Sequence, residues 1–192
     1  MEMTAENAIE NVKPRVPTEK ILLWVAIASI VMLFAGLTSG YVVRQAEGNW
    51  LVFEIPTMFY ISTVAIILSS ITMQMSIAAI RKDNKVMAKN LIIITLGLGL
   101  AFVFCQFMGW SALVDNNIHF VGTPSESFFY ALTGLHLAHL AFGLIGLMVT
   151  AGKSILQKYS SKNYLGISLC AIYWHFLGGL WLYLFVFLAI FR

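Results

Sequence analysis

The chain has 192 residues, 59% of them apolar and 11% charged, with a formal net charge of +3. Water-soluble domains carry about 25% charged residues, so this composition excludes an ordinary soluble enzyme or binding module. The positive balance is not a nucleic-acid surface either, because no basic cluster is interleaved with aromatics.

Residues 1–20 form a hydrophilic tail with four glutamates, and the long apolar run behind it lacks a small-residue cleavage pattern, so no signal peptide is expected. Five uncharged runs follow, each at least 23 residues long: Ile21–Val43, Ile55–Ile80, Asn90–Val114, Ser127–Gly152 and Leu165–Phe191. A helix needs roughly 20 residues to cross a hydrocarbon core of about 30 Å. The predicted fold class is therefore an all-α membrane protein, residues 21–192 forming one bundle of five transmembrane helices joined by links of about 10–15 residues.

The first run carries Gly36 and Gly40 as a GxxxG, and the second carries Ser62, Ser69 and Ser76 at heptad spacing, a small polar seam. The third holds Cys105 and Gln106. Cys105 and Cys170 lack any paired spacing and read as reduced core residues. "TPSE" ahead of the fourth run predicts a capping box, with Thr123 as N-cap, Pro124 at the first helical position and Glu126 reaching back. The fourth run places Gly143 and Gly146 on the stripe of His136 and His139, and in the fifth Gly178 and Gly179 follow His175 by three and four residues. All three intramembrane histidines are expected to point into protein contacts.

Ten of the twelve Lys and Arg residues fall on the tail, the link after the second run and the link after the fourth. The positive-inside rule then puts the N-terminus in the cytoplasm and the C-terminus outside. No Asp, Glu, Lys or Arg lies well inside a run, which argues against an autonomous pump or transporter. No Ser–His–Asp set, phosphate loop or acid pair supports hydrolysis or phosphoryl transfer, so catalytic, cofactor-binding and metal residues are all expected to be absent.

Two readings of the histidines compete. At about 1.5 Å per residue, His139 lies about 18 Å from the outer start of the fourth helix and His175 about 15 Å from the inner start of the fifth, so the two reach one depth and could face each other across a haem. A di-haem cytochrome would want four membrane histidines, however, and His119 falls in a link. The alternative, neutral histidines held by interhelical hydrogen bonds or lipid headgroups, fits the census better.

Several stretches together resemble the subunit III family of haem–copper oxidases in its short five-helix bacterial form. "FYALTGLHLAHLAFGL" is similar to its F-Y-x-L-T-G-x-H-x-x-H signature, and "YWHFLGGLWLYLF" to its final helix. "VMLFAGLTSGYVVR", "IPTMFYISTVAIILSS", "AAIRKDN" and "FCQFMGW" resemble the remaining helices, so the likeness spans about residues 20–191. Family members usually carry carboxylates where this chain has Ile30, Gly109 and Gly178, and a glycine where it has Leu137.

The resemblance implies an accessory subunit of a respiratory terminal oxidase in the bacterial cytoplasmic membrane, without a redox centre of its own. It implies haem and copper in partner subunits I and II, phospholipid held between helices, and room for a larger respiratory supercomplex. A role as proton antenna does not carry over, because its acids are missing. His136, His139, Trp174, His175, Trp181 and Gln106 are the expected lipid or subunit contacts. A quinol oxidase or nitric oxide reductase partner remains the alternative, with a di-haem membrane cytochrome behind it.

Overall fold

A computed structural model describes residues 17–48, 50–161 and 163–191. The tail residues Lys13 and Arg15, together with Lys162 and Arg192, lie outside the described residues. Five helices follow one another: α1 Thr18–Ala46, α2 Thr57–Arg81, α3 Lys85–Asp115, α4 Pro124–Ile155 and α5 Leu165–Phe191. Each is long and apolar enough to cross a membrane. Hydrocarbon offers no water to a free N–H or C=O, so an apolar run that enters it must pair its backbone within one helix.

Four of the helices overrun the uncharged stretches by one to five residues at one or both ends. Backbone pairing does not need apolar side chains, and at the headgroup level Lys and Arg can extend outward from a helix that continues beneath them. One consequence corrects the expected link lengths: only Lys82, Asp83 and Asn84 separate α2 from α3. Asp83 takes a left-handed conformation (φ 56°), which Asp tolerates well. Asn84 caps α3 by accepting from the Met87 N–H at 3.1 Å. At the other end of the bundle the Thr123–Glu126 capping box forms, the Thr123 N–H donating to the Glu126 carboxylate at 3.0 Å. A Cβ at Gly122 would collide with that carboxylate.

The helices are not laid out in simple chain order. α2, α3, α4 and α5 close a ring in which each touches two neighbours, and α2 and α3 form the tightest pair. α1 stands outside the ring, against α4 and α5, and does not pack on α2. The link after α1 crosses the end of the bundle instead: Trp50 meets the Tyr41 ring edge-on at 4.6 Å, and the Leu51 N–H donates to Ser125 Oγ at 3.2 Å. Tyr41 also packs edge-on against Phe128 and Phe187, and its hydroxyl donates to the Phe191 carbonyl.

The small residues sort into two groups. Gly99, Gly109, Gly143 and Gly178 are internal: a Cβ would come within 2.7 Å of Trp174, 2.6 Å of Phe59, 2.8 Å of Leu177 and 3.1 Å of Ser70 respectively. Gly36, Gly146 and Gly179 have open space beside them, and a Cβ at Gly40 would meet only the Phe128 ring at 3.8 Å, so the GxxxG of α1 is not a tight helix seam within this chain. Gly109→Ala must displace the Phe59 ring, itself held by Phe129 and Trp181. Overpacking of this kind is expected to cost about 1–3 kcal/mol. Gly97→Ala, on the same helix with nothing within 4 Å, should be neutral or gain up to about 1 kcal/mol in helix propensity. Thermal unfolding of the two variants in one detergent separates the cases; equal melting temperatures would contradict the packing described.

Candidate functional site

The hydroxyl stripe of α2 lies at the centre of the ring. Ser62, Ser69 and Ser76 are fully buried, and Thr63 nearly so. Each hydroxyl donates to a carbonyl of its own helix: Ser62 and Thr63 to Phe59 O, Ser69 to Ile66 O and Ser76 to Met73 O, all at 2.7–2.8 Å. Their oxygens keep lone pairs for donors from other helices. The Trp174 indole N–H takes Ser69 Oγ at 3.0 Å, that of Trp181 takes Thr63 Oγ1 at 2.9 Å, and the Gln106 amide N–H takes Ser62 Oγ at 3.0 Å. Trp110 repeats the device between α3 and α4, donating to Thr133 Oγ1 at 3.2 Å. Thr72 and Thr95 join α2 to α3 at 2.8 Å.

Of the six residues expected to touch lipid or a partner, four are inside the chain. Trp174, Trp181, Gln106 and His136 are each 0–1% exposed. Their rings pack between α2, α3, α4 and α5, and the two indole N–H groups and the Gln106 amide N–H bond hydroxyls of α2. Thr63, Thr133 and Trp110 were missed, although "LTG" and "FCQFMGW" contain two of them.

His136 sits between the Trp181 ring at 5.1 Å and the Phe102 ring at 6.0 Å. Neither of its ring nitrogens meets a hydrogen-bonding partner within the chain, and Gln106 Oε1 in the same layer is also unpartnered. Within the chain, aromatic packing is what holds the His136 ring. His139 is partly exposed and turns toward α1. Its Nδ1 meets the Leu135 carbonyl of its own helix at 2.7 Å, and its ring meets Phe34 edge-on at 5.7 Å. Tyr173 of α5 donates to the His139 carbonyl at 3.2 Å.

His175 stands elsewhere. Two residues on from Tyr173 it is turned by about 200° around α5, and it borders a groove with Ile66, Ile67, Ser70 and Ile71 of α2. His139 and His175 therefore do not face each other, which removes the geometry a haem between them would need. Among the described residues no three of His, Cys, Asp or Glu group where they could hold a metal ion. Cys105 and Cys170 are free thiols, both partly buried. Where the family pattern has carboxylates, Ile30 is buried core, Gly109 lies under Phe59 and Gly178 under Ser70.

Comparison with known proteins places this architecture. Residues 50–192 match the family described as cytochrome c oxidase subunit III. A probable quinol oxidase subunit 3 of Staphylococcus haemolyticus is 30% identical, over 86% of this chain and 85% of that protein. A probable cytochrome c oxidase subunit 3 of Nocardia farcinica is 28% identical, over 90% and 87%. A probable quinol oxidase subunit 3 of Staphylococcus saprophyticus is 26% identical, over 86% and 85%.

The indole-to-hydroxyl bonds can be tested directly. Trp174→Phe, Ser69→Ala and the double variant are expected to give a coupling energy of about 0.5–2 kcal/mol, the range found for side-chain hydrogen bonds between membrane helices. Reversible unfolding in mixed micelles measures it. A coupling near zero would mean that the seam is shape-packed only.

Proposed function

We propose a role that starts from one premise: the chain belongs to the cytochrome c oxidase subunit III family. It is an accessory subunit of a terminal oxidase. The complex passes electrons to oxygen, and this subunit supports the catalytic part without contributing an active site. The observation that carries the reading is the extent of the match, which takes in α2 to α5 complete and most of the length of the relatives compared.

Haem and copper belong, in this reading, to partner subunits I and II. The chain lies in a bacterial cytoplasmic membrane as a multi-pass protein, and bacterial relatives fit that location. The tail 1–20 faces the cytoplasm. Lys20 at the start of α1, Arg81 at the end of α2 and the start of α5 meet around one basic recess, which supports placing this end on the positive side. Phospholipid is expected along the outer faces of the bundle. A quinol-oxidizing complex is the second reading, favoured by the two staphylococcal relatives; the electron donor would dock on other subunits.

Purification of the intact complex tests the role. The chain should co-purify with a haem–copper subunit, and the chain alone should give no haem spectrum. A haem spectrum from the isolated chain, abolished by His139→Ala or His175→Ala, would overturn the accessory reading. His136→Ala should destabilise the subunit by about 2–5 kcal/mol, as large-to-alanine truncations in cores do. Retention in the complex should fall, while haem per catalytic subunit stays unchanged.

A further inference from the structure

The basic recess at the tail end of the bundle differs from the apolar hollows along its sides. It measures about 280 Å³ and takes cations from two helices, Lys20 of α1 and Arg81 of α2, with Asn163, Tyr164, Leu165 and Ser168 on its α5 side. The Arg81 guanidinium lies over the Tyr164 ring, 5.9 Å from its centre, a cation–π contact that holds the charge at the recess wall. Among the described residues no carboxylate comes within ion-pair distance of Lys20 or Arg81. Asp83, two residues beyond Arg81, accepts from the Ser161 N–H at 3.1 Å instead. Glu19 precedes Lys20 but is turned from it by about 100° around α1 and is exposed. The two charges therefore lack a counter-ion from the described chain.

We infer that this recess between α1, α2 and α5 binds the phosphate of an anionic phospholipid. The inference draws on the membrane-spanning fold and is independent of the accessory role. Level decides the source of the phosphate. Lys20 is the third residue of α1, Arg81 the last of α2 and Leu165 the first of α5, so both cations stand where spanning helices leave the hydrocarbon. Lipid phosphates are concentrated at that level, and basic pockets between membrane helices on the cytoplasmic side take anionic headgroups. A phosphodiester offers acceptors for the planar fork of an arginine and for a lysine ammonium. The Asn163 amide and the Ser168 hydroxyl supply further donors at the same recess. Charge selects among lipids. Two cations without a paired carboxylate favour a headgroup of net negative charge, whereas the ammonium of a zwitterionic headgroup is repelled.

Native mass spectrometry tests the assignment on the chain purified from its membrane with whatever subunits accompany it. The preparation is delipidated, then exchanged into nanodiscs of phosphatidylcholine with phosphatidylglycerol or of phosphatidylcholine alone. A Lys20→Gln, Arg81→Gln double variant should retain one phosphatidylglycerol fewer per chain than the wild type. Its preference for that lipid over phosphatidylcholine should fall by about thirtyfold, the effect of two cations near an anionic surface. Lys89→Gln, which removes a basic residue of the same end outside the recess, should leave the lipid in place. The charge-keeping pair Lys20→Arg, Arg81→Lys should hold it too, which separates lost charge from lost folding. Equal phosphatidylglycerol counts in the wild type and the glutamine pair would overturn the inference, as would a charge-keeping pair that loses the lipid as completely as the glutamine pair. Displacement of the lipid by inorganic phosphate would show a site for a free anion and overturn the lipid assignment. Lipid retention that begins only when residues 1–12 are removed would overturn it in favour of the tail's own Glu2, Glu6 and Glu10.

Discussion

The bundle depends on a hydroxyl that serves two helices at once. A serine or threonine in hydrocarbon can satisfy its own hydrogen by donating to the backbone one turn behind, and its oxygen can then receive an N–H from elsewhere. α2 places Ser62, Thr63 and Ser69 so that this happens three times, drawing in Gln106 from α3 and Trp174 and Trp181 from α5. Lipid tails are as apolar as leucine, so burial alone gives helices little reason to associate in a membrane. Directed bonds of this kind, with close packing over glycines, supply the reason.

From that arrangement the ring order follows. Two indoles seven residues apart on α5 present N–H groups along one face, and the α2 hydroxyls six residues apart receive them in antiparallel sense. α3 is bound to α2 by the short turn and by Gln106, and α4 closes the ring through Trp110 and Thr133. His136 then occupies a layer already crowded by Phe102 and Trp181, and its contribution there is shape. The chemistry of the complex, in the accessory reading, belongs to its neighbours.

Much of this was legible in the residues. Length and the absence of interior charge give five spanning helices, the heptad serines announce a seam, and "TPSE" announces a cap that forms. What the sequence could not give was direction around each helix. His136 and His139 share a stripe with glycines, yet they differ by 60° around α4, enough to bury one and leave the other against α1. His175 follows Trp174 by a single residue, and that step turns it out of the core. Trp174, Trp181 and Gln106 were expected at lipid or subunit contacts on the strength of the family resemblance. Only the placement of their acceptors on α2 shows them to be internal. Link lengths were overestimated because charge marks the edge of hydrocarbon, not the end of a helix.

The position of α1 carries a consequence for biogenesis. It precedes α2 and α3 in the chain, yet its helix contacts are with α4 and α5, and Tyr41 and Gln45 bond the carbonyl of Phe191 at the far end of α5. During synthesis α1 therefore has neither of its native helix neighbours until the ring is nearly finished. Contacts between segments so far apart in sequence are slower to form than local ones. Until α5 has been inserted, α1 is surrounded by lipid or by the insertion machinery, and its docking closes the bundle.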